Sequence, residues 1–147
     1  MKNAKLELPS ELNQPDQTLI KKIIQDYPDI NFRIGQRFSF RPPRSVVLGP
    51  AISHYTLLLA HEIGHALSGK YSFKTDLERL KIEREAWEQA KSICQKFNIP
   101  YDKNFIEDQL DSYRDWLHNK SKCKKCGLTC YQTKNGQYHC PNCEPTI

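Results

Sequence analysis

His61, Glu62 and His65 form an H-E-x-x-H pattern inside the apolar run LLLAHEIGHALSG, Leu57 to Gly69. On an α-helix, residues four apart lie about 40° apart on one face, one turn above the other, so both imidazoles can reach one cation. Glu62 falls about 60° round from His65, beside such an ion rather than on it. A carboxylate there can act as general base on a metal-bound water. The flanking residues, among them Leu59, Ala60 and Ile63, are apolar, so the helix is expected to be buried on most sides. Burying two imidazoles and a carboxylate without partners is costly, and a bound zinc ion resolves that cost. Gly64 adds a close-packing position. His54 lies seven residues before His61, on roughly the same face, and is expected to be structural or at the surface.

Catalytic zinc usually takes three protein ligands and leaves the fourth position to water. The stretch KTDLERLKIEREAWEQAKSICQKFN offers Glu78, Glu83, Glu85 and Glu88, and helical phase separates them. Its apolar stripe runs through Leu80, Trp87, Ala90, Cys94 and Phe97. Glu83 sits three after Leu80 and four before Trp87, in the middle of that stripe. Glu85 groups instead with Lys81, Glu88, Gln89 and Ser92 on the polar face. Glu83 is therefore the expected third ligand and Glu85 a weaker candidate. The competing explanation is a partly buried Glu83 paired with a lysine or arginine.

A second constellation closes the chain. Cys123 and Cys126 (CKKC) are followed, after thirteen residues, by Cys140 and Cys143 (CPNC). Each C-x-x-C brings two thiolates to one point, and two such knuckles complete a tetrahedral four-cysteine zinc site. Gly127 and Asn142 suit tight turns, and TKNGQ suits a hairpin tip. The segment predicts a zinc ribbon, with the metal supplying much of its folding energy. Cys130 is left over. It is expected to be a small buried residue, although Cys130 or His139 could replace one ligand. Two zinc ions are expected in all, one catalytic and one structural.

Several elements must carry these groups. Residues 1 to about 14 read as a polar arm, and PDQTLIKKIIQDYP has the apolar spacing of a helix ended by Pro28. INFRIGQRFSFRPPRSVVLG alternates in short pieces that read as two or three strands. Ser53 to about Gly69 is predicted as the helix bearing the histidine pair. The following helix opens on a Thr75/Glu78 capping box and is closed by Pro100. A third runs from Asn104, paired with Glu107, to about His118. The expected architecture is α+β: a small zincin-like domain over residues 1–118, with a short sheet and two ligand-bearing helices, and a zinc ribbon over residues 119–147.

Composition agrees with a globular chain: 147 residues, 38% hydrophobic and 27% charged. No apolar run approaches the roughly twenty residues of a membrane helix. The N-terminal residues lack the apolar core of a secretory signal, so the expected compartment is the cytoplasm and no membrane partner is expected. Five of the six cysteines lie between Cys123 and Cys143, which in that compartment favours metal over disulfides. The net charge is +5, of which residues 119–147 carry +4. Four thiolates on zinc would cut that to about +2. Tyr131 and Tyr138 could stack on bases or simply cover the ribbon's strands, so contact of the ribbon with nucleic acid or with a protein both stay open.

HEIGH followed by EREAWEQA resembles the gluzincin-type metallopeptidases, most closely the ImmA/IrrE-like group, over about Phe32 to Phe97. In that group a second helix supplies glutamate in an E-x-x-A-N or E-x-x-A-D pattern. The resemblance implies Glu83 as ligand and Ala86 as the small residue that lets the helices approach. Trp87 departs from it, standing where the group has Asn or Asp to orient a ligand histidine. A protease domain followed by a zinc ribbon is also similar in layout to the SprT-like proteases. Those use a third histidine soon after H-E-x-x-H, whereas the next one here is His118.

The resemblance implies a zinc endopeptidase acting on a protein or peptide substrate, with Glu62 as general base. Tyr71, Tyr113, Arg114 and His118 are the candidates for stabilising the oxyanion. The rival is a non-catalytic zinc-binding regulatory module whose ribbon contacts nucleic acid or a protein partner.

Overall fold

The computed structural model describes residues 6–143 and is α+β, with four helices and two small sheets. Among the described residues no helix is long and apolar enough to cross a membrane. The described residues gather into two compact units: residues 6–71 together with Glu85–Tyr101, and Ser72–Arg84 together with residues 102–143.

The first unit opens with α1 (Gln14–Asp26). Asn13 caps it by accepting the amide of Asp16, and Ile20, Ile23 and Ile24 form its buried stripe. Three short strands follow, β1 (Asn31–Ile34), β2 (Ser39–Arg41) and β3 (Ser45–Leu48), in the order β1-β3-β2. β3 pairs parallel with β1, Phe32 opposite Val46, and antiparallel with β2, Phe40 opposite Val46. The central position of β3 explains why Val46, Val47 and Leu48 are all buried, whereas β2 is an edge strand with no buried residue.

α2 (Tyr55–Ser68) packs on β3 and β2. It ends at Gly69 with φ +67°, a left-handed cap that glycine adopts without a steric penalty. The part of α3 (Asp76–Phe97) from Glu85 onward lies against α2. A Cβ on Gly64 would sit 2.2 Å from the carbonyl oxygen of Ala86, so this contact is backbone to backbone and admits only glycine at 64. Gly64 and Ala86 are thus the small pair expected for close helix packing.

The second unit holds the first turns of α3, then α4 (Lys103–Lys120) and a hairpin of β4 (Tyr131–Gln132) and β5 (Tyr138–His139). The capping box forms as expected: the Glu78 amide donates to Thr75 Oγ1 at 3.2 Å and the Thr75 amide to Glu78 Oε2 at 3.3 Å. α4 corrects the sequence expectation at its start. Asp102, not Asn104, caps it, accepting the Phe105 amide at 3.1 Å, and the helix continues to Lys120. Glu107, expected to pair with Asn104, instead accepts from Arg114 at 2.8 Å, because the earlier cap places it a full turn inside the helix. TKNGQ is the hairpin tip, with Gly136 at φ +84°. The buried cluster of this tail consists of Cys123, Cys130, Tyr138 and Cys140.

Two candidate metal centres

α2 places His61, Glu62 and His65 in its buried middle, one turn after its apolar start. The two Nε2 atoms lie 3.2 Å apart, as the four-residue spacing dictates. Glu83, on α3, joins them: one ligand atom from each of the three residues lies within 4.8 Å of the others.

Glu85, the weaker candidate, points elsewhere and pairs with Lys70 at 3.1 Å on the surface. The two glutamates thus part along the lines of helical phase. His54 is not in the group. It sits at the N-terminus of α2 with φ +62°, its Nδ1 2.7 Å from Ser53 Oγ.

Aromatic rings flank both imidazoles. Trp87 stacks on His61 with ring centroids 4.0 Å apart and planes 25° apart. Phe40, from edge strand β2, stacks on His65 at 5.7 Å and 9°. The Tyr71 ring lies 6.2 Å from that of Phe40 and is 45% exposed. Tyr71 is one of the four oxyanion candidates, and its neighbour Phe40 is the ring that stacks on His65. Arg114 is held by both Glu107 and Asp111, and Tyr113 lies beneath the Arg79 guanidinium. His118 is exposed near the end of α4.

The four cysteines form the other group. Cys123, Cys126, Cys140 and Cys143 each offer a sulfur within 4.8 Å of the others, and the sulfurs of Cys126 and Cys140 are 3.6 Å apart. Two tight turns bring them together. In the first, the Gly127 amide donates to the Cys123 carbonyl, with Gly127 at φ +77°. In the second, the Cys143 amide donates to Cys140 Sγ at 3.3 Å.

Backbone N–H groups of Cys126 and Lys125 push the Cys123 thiol down to about 6. Cys143, hydrogen-bonded to the sulfur of Cys126, is pushed up to about 12. Four thiols this close cannot all ionise unless a cation balances them, which is the chemistry of a metal site. Cys130 is outside the group: it is buried, packs with Cys123, Tyr138 and Cys140, and burial raises its thiol. His139 is outside it too, stacked on Tyr131.

Tyr138 is buried rather than displayed, and its role was not legible in the sequence. Its hydroxyl donates to the Asp76 carboxylate at 2.5 Å, across 62 residues of chain. The same carboxylate takes the Lys120 ammonium at 2.9 Å and the Gln132 amide at 3.4 Å, while the Asp76 amide donates to Gln132 Oε1 at 2.7 Å. Burial alone would raise the Asp76 carboxyl, but the bonds from Tyr138, Lys120 and Gln132 hold it below its ordinary value. The hairpin is thereby tied to the first turn of α3. An aspartate in a first turn is an ordinary helix-start residue, so nothing local announced this junction.

No family model, curated protein or solved structure matches this chain.

Proposed function

We propose that the chain is a zinc-dependent endopeptidase that hydrolyses peptide bonds of a cytoplasmic protein substrate, with a zincin-like catalytic domain and a structural zinc ribbon. The observation that carries this proposal is the convergence of His61, His65 and Glu83 beside a buried Glu62. Two imidazoles and one carboxylate form the donor set of a catalytic zinc site that keeps a fourth position open. Neighbouring ligands of a tetrahedral ion lie about 1.6 bond lengths apart, or about 3.3 Å for zinc–nitrogen and about 3.7 Å for zinc–sulfur bonds. The observed 3.2 Å between the imidazole nitrogens and 3.6 Å between two of the sulfurs fit those edges. The resemblance of HEIGH and EREAWEQA to the ImmA/IrrE-like peptidases supports the same assignment.

Zinc bound there supplies a Lewis acid for the scissile carbonyl and lowers the pKa of a bound water. Glu62 takes the proton of the attacking water and returns it to the leaving amine. Its carboxylate is suited to that role because it lies one residue from a ligand, on the same buried stretch of α2, without being a member of the ligand group. Tyr71, half-exposed and beside the Phe40 ring that stacks on His65, is the donor we assign to the oxyanion.

Glu62→Gln tests the assignment. The variant should bind two zinc ions per chain as the parent does, and cleavage of a protein substrate should fall by about 100-fold or more. Undiminished cleavage would remove Glu62 from the chemistry. A parent protein that binds both ions yet cleaves nothing would favour the non-catalytic regulatory module, with the ribbon contacting nucleic acid or a protein partner.

A further inference from the structure

A ligand imidazole binds a metal only when its nitrogen lone pair points along the bond, so something must stop the ring rotating about χ2. A hydrogen bond from the ring's other nitrogen to a carboxylate or amide commonly does this. In the peptidases that this chain resembles, an Asn or Asp stands four residues after the ligand glutamate. Here that residue is Trp87. An indole has a single N–H donor and no acceptor, so it cannot receive an imidazole N–H through a side-chain oxygen.

Trp87 meets His61 in another way. Its ring lies face-on to the imidazole, centroids 4.0 Å apart and planes 25° apart, and both residues are buried. Four residues after Glu83 on α3, Trp87 projects from the same helix face as that carboxylate. Its backbone is fixed, because its carbonyl accepts the Tyr101 hydroxyl at 3.3 Å and the backbone of its neighbour Ala86 lies close against Gly64. A flat ring held at van der Waals distance blocks rotation of the imidazole out of plane, since turning about χ2 would drive the ring edge into the indole.

We propose that Trp87 is a positioning residue that sets the ring plane of His61 for metal binding by stacking, in place of a hydrogen-bonding Asn or Asp. This rests on the proposal that His61, His65 and Glu83 hold the metal. The contact on His65 is looser, with Phe40 at 5.7 Å, so the stronger constraint falls on His61.

The test compares the full chain with Trp87→Phe and Trp87→Met, measuring zinc affinity by competition with a chromophoric chelator. Phenylalanine keeps a flat face, whereas methionine fills the space with a flexible chain. The parent should take up two zinc ions. The methionine variant should lose about tenfold or more in affinity at the histidine centre and none at the cysteine centre, and the phenylalanine variant should stay within about threefold of the parent. Equal affinity in the methionine variant, or equal losses in both, would overturn the positioning role. A parent that binds one zinc, abolished by Cys140→Ser, would overturn the metal centre itself, a different result.

A measurement on the unmutated protein covers the case in which the methionine variant does not fold. The carbon-bound ring protons of His61 should be shifted upfield by the indole ring current, both without metal and with zinc bound. Unshifted resonances would overturn the proposal.

Discussion

The two candidate metal centres are built on opposite plans. The histidine centre sits on helices that have reasons of their own to fold: α2 packs on the sheet and buries Leu57, Leu59 and Ile63, and α3 buries Ala86, Ala90 and Ile93. The cysteine centre has four buried side chains for its core, and two of them are prospective ligands. Helix packing therefore organises the first site with or without an ion, whereas a core this small would leave the second to be organised by the bonds of a bound ion. A site that exists without its metal can leave a coordination position open for chemistry. One that depends on its metal must close the coordination shell, as four thiolates do.

The sharpest way to break this contrast is to withdraw any metal from the four cysteines. Cys140→Ser, or chelation, should abolish amide-exchange protection across residues 122–143, including the Cys130 amide that donates to Ser121, and leave α1 and β1–β3 protected. Protection of the tail that survived chelation would show that Cys123, Cys130, Tyr138 and Cys140 suffice as a core.

A smaller effect separates the two glutamates on α3. Glu83→Gln should weaken zinc at the histidine centre by about tenfold to 100-fold while leaving the melting temperature nearly unchanged. Glu85→Gln, which removes only an exposed pair with Lys70, should leave metal binding intact and change stability by less than about 0.5 kcal/mol. Equal effects of the two would return both to surface roles.

A further effect, on stability rather than on metal binding, concerns the junction at Asp76. Asp76→Asn should cost about 1–3 kcal/mol at neutral pH, because Tyr138 and Lys120 lose their anionic partner. The folded-state carboxyl lies below its ordinary value, so its stabilisation is complete above the unfolded pKa of about 4. It is lost as pH falls through the lower, folded value. Urea unfolding of parent and variant should therefore converge under acid conditions, and a gap independent of pH would argue for packing rather than charge.

Much of both centres was legible in residue order because their spacing is local. Four residues between histidines is one helical turn, and two residues between cysteines is one tight turn, whatever surrounds them. The Thr75/Glu78 box was readable for the same reason. Even Glu83, on a different helix from His61 and His65, was reachable, since α3 is regular enough for its phase to set Glu83 apart from Glu85.

Where two local signals competed, the sequence was ambiguous. Asp102 and Asn104 are both good cap residues with a free amide three positions on, and the Asp102 carboxylate took the Phe105 amide. Composition and spacing determined that this chain carries two candidate metal-ligand sets and the helices to display one of them. Tertiary structure alone decided that the indole of Trp87, one apolar residue of a stripe, would stack on the His61 ring, and that Asp76 would meet Tyr138 across 62 residues. Ring planes and long-range carboxylate partners depend on how separate elements are brought together, and no period along the chain encodes that distance.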